Sequence, residues 1–310
     1  MTFRPLFALS AFSLLVVFAN AEIIGNSSYL FGIGPNGEAY TTDFGFYGTG
    51  LVRLADGYDD VARGLGRAGW GVTTSTGGTS YADELANGSG GISGASKTFG
   101  PNVMNALYIP ESATYTANLD GGLTIKKSYS FAALNVMAIH TTITNVSGAS
   151  LSALYREAFD KHPTYGELPW GDDECVSIDA LGGDVVEAGR DALESPVPGS
   201  TMWLPGTGDF GPASYFGGAF DVDLGTLADG ASKQFIIYYG VNNGSQSELD
   251  LRNQVYGLGA TFQISNSSHL HLNNNSTVGY QAVPNAVPEP ASMIALGLGA
   301  LATIRRRRKA

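Results

Sequence analysis

The chain has 310 residues, of which 44% are apolar and 15% charged, with a mean hydropathy of +0.03. That balance supports a sizeable core and excludes general disorder. Its 42 glycines, about twice the usual share, favour short strands and tight turns over long helices. A net charge of −11 excludes nucleic acid as a partner.

In chain order, the N-terminus reads as a secretory signal peptide over residues 1–21. Arg4 supplies the positive start. Residues 6–18 are apolar apart from Ser10 and Ser13, and Ala19-Asn20-Ala21 supplies an A-x-A cleavage site. Cleavage by signal peptidase after export would place the mature start at Glu22. Residues 64–100, around Trp70, are rich in Gly, Ser and Thr and read as loops around short strands. Asp120-Gly121-Gly122 has the composition of a hairpin turn. Strand alternation follows over residues 123–131, with Leu123, Ile125, Tyr129 and Phe131 on one face and Thr124, Lys126, Ser128 and Ser130 on the other. Residues 136–144 continue as a strand, and Leu151, Ala153, Tyr155 and Phe159 alternate through another. Further strands are predicted at 201–204, 214–222, 233–241 and 261–264.

The single persuasive helix covers residues 247–256, with Leu251, Val255 and Leu258 spaced i, i+4, i+7 and Glu248 and Asp250 favouring its N-terminal end. Residues 266–286 are polar and Asn-rich and read as a last edge strand or spacer. No repeat of about 20–50 residues is visible. The economical reading is all-β: one antiparallel β-sandwich body over 22–265 with one short helix.

The last segment, 287–310, has its own grammar. Val287-Pro288-Glu289-Pro290 precedes fourteen uncharged residues, 291–304, and then Arg305-Arg306-Arg307-Arg308-Lys309. As a helix the apolar run would extend about 21 Å, short of a hydrocarbon core of roughly 30 Å. Snorkelling arginine stems make up part of the difference. The basic cluster would stay cytoplasmic and hold the chain transiently in the inner membrane.

A VPEP motif, a short Gly/Ala/Leu span and an arginine cluster in that order resemble the PEP-CTERM sorting signal of Gram-negative bacteria. The resemblance implies a membrane-embedded cysteine protease of the exosortase class as a partner, with Pro288, Glu289 and Pro290 as its recognition tripeptide. The body is similar to a globular type that accompanies such tails, through Gly69-Trp70-Gly71-Val72, Thr142-Ile143-Thr144-Asn145, Tyr155-Arg156 and Gly225-Thr226-Leu227. That likeness implies an antiparallel β body with an aromatic-acidic segment, here Glu157-Ala158-Phe159-Asp160-Lys161-His162, which lacks the second acidic residue beside a tryptophan.

Without the targeting ends, Lys plus Arg falls from 17 to 11 and Asp plus Glu from 28 to 27, leaving a body of net charge −16. Such a body repels anionic lipid as well as nucleic acid. Cys175 is the single cysteine, so no internal disulfide can form. Asp172-Asp173-Glu174 beside it would raise a thiol pKa, which argues against a nucleophile. Gly64-x-Gly66-x-x-Gly69 fits a dinucleotide fingerprint without the surrounding strand–helix–strand unit. Leu204-Pro205-Gly206-Thr207-Gly208 reads as a turn, and Asp221-x-Asp223 lacks the further oxygen ligands of a calcium loop. His269 and His271 share a face on a strand but have no third ligand, and His140 in an apolar strand reads as a core histidine.

Glu157, Asp160, Glu167, Asp172, Asp173 and Glu174 crowd around Tyr165 and Trp170. They read as an exposed acidic loop, or as the carboxylates and platforms of a carbohydrate site. The expectation is an exported, non-enzymatic protein of the cell envelope or extracellular matrix. It would be sorted by an exosortase, use no cofactor or metal, and have extracellular polysaccharide as a candidate partner. The alternative is a secreted carbohydrate-binding or carbohydrate-active protein.

Overall fold

The computed structural model describes residues 22–40, 50–55, 58–59, 68–83, 88–102, 109–160, 174–190, 195–202, 204–210, 217–268 and 275–284. The expected signal peptide and the C-terminal segment lie outside them. Alternating Val, Ile, Thr and aromatic residues pair into strands, joined by turns in which glycine supplies the left-handed backbone. Both Gly121 (φ 79°) and Gly122 (φ 78°) do so in the predicted hairpin.

Strands β1 (Ile23–Gly25), β2 (Tyr29–Gly32), β3 (Leu51–Arg53) and β4 (Tyr58–Asp59) form a small antiparallel sheet in that order. Next come β5 (Gly69–Thr74), β6 (Thr79–Asp83), β7 (Gly88–Gly90), β8 (Ile92–Phe99), β9 (Ser112–Leu119), β10 (Leu123–Ala133), β11 (Val136–Asn145) and β12 (Leu151–Asp160). The chain continues through β13 (Glu174–Ile178), β14 (Val185–Gly189), β15 (Gly208–Phe210), β16 (Gly217–Leu227) and β17 (Ser232–Val241). Helix α1 (Glu248–Gly257), β18 (Phe262–Ser268) and β19 (Ser276–Val283) complete the described elements. A nine-stranded sheet runs β15-β13-β18-β19-β17-β11-β10-β9-β8, and a six-stranded sheet runs β14-β16-β12-β5-β6-β7.

These two sheets face each other as the expected all-β sandwich. Tyr115, Ile125, Ile139 and Ile237 from the nine-stranded sheet share one core with Trp70, Val72, Tyr155 and Phe220 from the six-stranded sheet. Rings cross the seam between Tyr155 and Phe235 (4.8 Å), Phe220 and Phe262 (5.3 Å), and Trp70 and Tyr115 (6.3 Å). The small sheet joins the same core through Phe31, 6.1 Å from the rings of both Tyr129 and Tyr239.

Helix α1 begins at a capping box, in which Ser247 accepts from the Asp250 N–H and Asp250 reaches back to the cap. Burial of Leu251 and Val255 fixes it over the outer side of the nine-stranded sheet, where Val255 and Ala260 pack on Val136, Ala138, Ile236 and Tyr238.

Two expectations are corrected and one is extended. The described residues of 201–204 (201, 202 and 204) are not in a strand: Met202 is buried against Ala158 and Ala219, so packing onto a sheet face takes the place of ladder pairing. The strand at 276–283 is not an edge strand, because β19 pairs with β17 on one side and β18 on the other. Within the Gly/Ser/Thr-rich stretch 64–100, strands β5 to β8 dominate, and β8 runs eight residues against β9. Composition points to loops around short strands there, and partners remote in sequence supply the hydrogen bonds that extend the strands.

Candidate functional site

Strand β12 crosses the middle of the six-stranded sheet between β16 and β5, and its parity decides what each polar side chain meets. Tyr155 and Phe159 point into the core, so Glu157 between them does too and is 2% exposed. The hydroxyls of Tyr155 and Tyr239 both donate to its carboxylate, and the Lys127 ammonium lies 3.8 Å away. Lys127 sits on the buried face of β10, 1% exposed, with its Nζ 4.8 Å from the centroid of the Trp70 ring.

The segment following β2, residues 33–40, closes this cluster. The Gly37 carbonyl accepts from the Tyr129 hydroxyl (2.7 Å) and from Lys127 (3.4 Å), and the Asn36 carbonyl accepts from the Trp70 indole N–H (3.0 Å). Glu38, 5% exposed, accepts from the Asn36 N–H. Lys97 anchors the same segment by donating to the Gly34 carbonyl (3.1 Å) and pairing with Glu22.

Burial sets the electrostatics. It pushes the Lys127 ammonium down to about 8, with Glu157 and Glu38 opposing the shift. Desolvation, reinforced by the Glu157 charge, holds the hydroxyls of Tyr129, Tyr155 and Tyr239 well above the ordinary tyrosine range. Burial also raises the Glu38 carboxyl, against the pull of the Glu38 and Asn36 N–H groups and of Lys127 and Lys97.

The opposite parity of β12 builds a second charged group outside the sheet. Arg156 lies against Asp221 of β16, donating from Nε to one carboxylate oxygen and from Nη2 to the other at 2.8 Å. Its remaining donors reach the Ser195 carbonyl (3.1 Å), the Ser200 hydroxyl (2.9 Å) and the Ser200 carbonyl (3.0 Å). All five guanidinium N–H groups are thereby used. The strap 195–202 is pressed close here, since a Cβ on Gly71 would stand 2.1 Å from the Pro196 carbonyl oxygen.

Chemically, these are two saturated charge clusters on opposite faces of one sheet. Glu157 is occupied by two phenols and an ammonium, and Asp221 by a forked guanidinium plus the Gly199 N–H (3.1 Å). Among the described residues, no group of three or more His, Cys, Asp or Glu could hold a metal ion.

The residues marked by sequence fall out differently. Glu157 belongs to the core and not to an exposed acidic loop, because its parity on β12 turns it inward. Asp160 and Glu174 stand at the ends of β12 and β13. Glu167, Asp172, Asp173, Tyr165, Trp170, Lys161 and His162 lie outside the described residues, as do His269, His271, Gly64 and Gly66. His140 is exposed and so not a core histidine. Cys175 is half-buried on β13. Asp221 is buried while Asp223 is exposed and accepts from the Gly225 N–H, so the pair does not converge on one point. Glu22 opens the described chain, whereas Ala19, Ala21, Val287, Pro288, Glu289, Pro290 and Arg305 to Lys309 lie outside it.

Lys127 and Glu38 were not singled out by sequence. For Lys127 the signal was present: it occupies the position between Ile125 and Tyr129 on the apolar face.

The fold therefore defines an all-β sandwich with internally paired charges. Residues 286–309 match the family model of the PEP-CTERM protein-sorting motif. The chain carries this sorting signal, which marks an exported protein directed to the cell surface by an exosortase. Among curated proteins none matches. A galactose mutarotase-like protein from Lactobacillus casei ATCC 334 is similar in structure at 14% identity and a TM-score of 0.34, over 86% of this chain and 90% of that one. Among the described residues no helix is long and apolar enough to cross a membrane.

Proposed function

We propose that the body is a non-enzymatic component of the cell envelope or extracellular matrix, freed from the inner membrane once its tail has been processed, with extracellular polysaccharide as its partner. The observation that carries this reading is the use made of Glu157. It lies in the sandwich core, and its oxygens are taken by Tyr155, Tyr239 and Lys127. Glycoside hydrolysis asks for two carboxyl groups about 5–10 Å apart across an open cleft. Glu157 and Asp221 instead face opposite sides of one sheet, each closed by its own partners.

Incubating the exported protein with alginate, cellulose and starch, and measuring new reducing ends, tests the proposal. The expected outcome is none above background. Turnover that disappears in Glu157→Gln would overturn the reading and assign the buried cluster to catalysis.

A further inference from the structure

The outer side of the nine-stranded sheet is divided in two. Helix α1 covers the apolar part, where Ile236 and Tyr238 are buried beneath Val255. Polar residues of β18 and β19 on that side, Gln263, Ser265 and Thr277, are buried as well, whereas across β8 to β11 and the start of β17 the alternation leaves a hydroxyl-rich exposed surface. One row crosses five strands through paired positions Ser96, Thr116, Lys126, Thr142 and Gln234. At a strand spacing of about 4.8 Å this row is about 19 Å long. Ser96 and Thr116 already share a hydroxyl–hydroxyl hydrogen bond of 2.9 Å along it. Lys126 and His140 are exposed there.

The charge of this surface runs against that of the molecule. The chain has 28 Asp and Glu against 17 Lys and Arg, yet β8, β9, β10, β11 and β17 contain no carboxylate at all. The nearest carboxylates in sequence, Glu111, Asp120 and Asp229, stand in the flanking turns. A polyanion is repelled by most of the body, and this face is where it meets an ammonium and an imidazole without an opposing acid.

We propose that this open face binds a carboxylate-bearing polysaccharide laid across the strands. Uronate carboxylates would pair with Lys126, and sugar hydroxyls would exchange hydrogen bonds with the Thr and Ser rows and His140. Among the described residues, the outward positions of these five strands carry no exposed aromatic anchor of the kind that dominates protein–protein contacts. A long polymer compensates for weak single contacts by engaging many copies of the protein at once. The inference rests on the polysaccharide partner proposed above and adds its chemistry and its place.

Affinity electrophoresis of the full-length protein in gels containing alginate or neutral dextran tests it. The parent is expected to be retarded by alginate and not by dextran. Lys126→Glu combined with Thr142→Glu is expected to weaken retardation about tenfold. Val186→Glu, which adds a negative charge on β14 of the other sheet, should leave it unchanged. Equal loss in Val186→Glu, or no loss in the double variant, would overturn the face while leaving a polysaccharide partner standing. A parent retarded by neither polymer would overturn both readings. Unchanged thermal melting of the exposed-site variants ties any loss to binding.

Discussion

Lys127 carries a proton into the centre of the sandwich, and the pH dependence of folding reports that placement. Glu157, Glu38 and Tyr155 face it, along with the Trp70 ring and the Gly37 carbonyl, which also accepts from the Tyr129 hydroxyl. An unfolded lysine titrates near 10.4, whereas the folded one is pushed down to about 8. Between those values the unfolded chain binds more protons, so the lysine makes stability rise with pH from about 8 to about 10. Below that window both states are protonated and it adds no slope. Above about 10 the tyrosines reverse the trend, because Tyr129, Tyr155 and Tyr239 keep protons in the fold that the unfolded chain releases. Urea midpoints taken from pH 7 to 11 should therefore rise and then fall. In Lys127→Met the rise between pH 8 and 10 should vanish while the later fall remains.

Among the elements, the β9–β10 hairpin shows how a turn fixes register. Leu119 stands opposite Leu123, so both enter the core, and the intervening glycines hold a conformation that places them there. A Cβ added to Gly122 would stand 2.5 Å from the Ser147 Cβ, at a φ of +78°. Gly122→Ala should cost at least about 1–2 kcal/mol from the left-handed backbone alone, read as a lower urea midpoint with an unchanged slope. A one-residue slip to relieve the strain is disfavoured because it would turn Leu123, Ile125 and Tyr129 out to solvent.

At the scale of the whole molecule, the role proposed for the sandwich is separate from the sorting signal at 286–309. The sequence-based expectation is that Pro288 and Pro290, which fix φ and disfavour helix at the residue before them, make the tripeptide a suitable substrate for a protease. By the positive-inside rule, the arginine cluster is expected to resist translocation. Replacing Pro288-Glu289-Pro290 with alanines should leave export intact and retain full-length protein in the inner membrane. Fractionation and immunoblotting measure this, and normal processing of the variant would reduce the motif to part of a plain anchor.

The chain by itself determined its sorting signal and its all-β character, because an ordered tripeptide, an apolar run and a period of two are local properties of sequence. The strands at 123–131, 136–144 and 233–241 and the helix near 247–256 were legible for the same reason. Parity even contained the inward direction of Lys127 and Glu157, although a charge on an apolar face reads as an interruption until its partner is known. That partner only the tertiary structure supplied: Lys127 meets Glu157 across two sheets, and Arg156 meets Asp221 from another strand. The interior position of β19, the extent of the strands in a glycine-rich stretch, and the carboxylate-free face were decided there too. A buried charge, a ladder hydrogen bond and a surface field each depend on groups distant in sequence, and no local pattern encodes which distant groups will arrive.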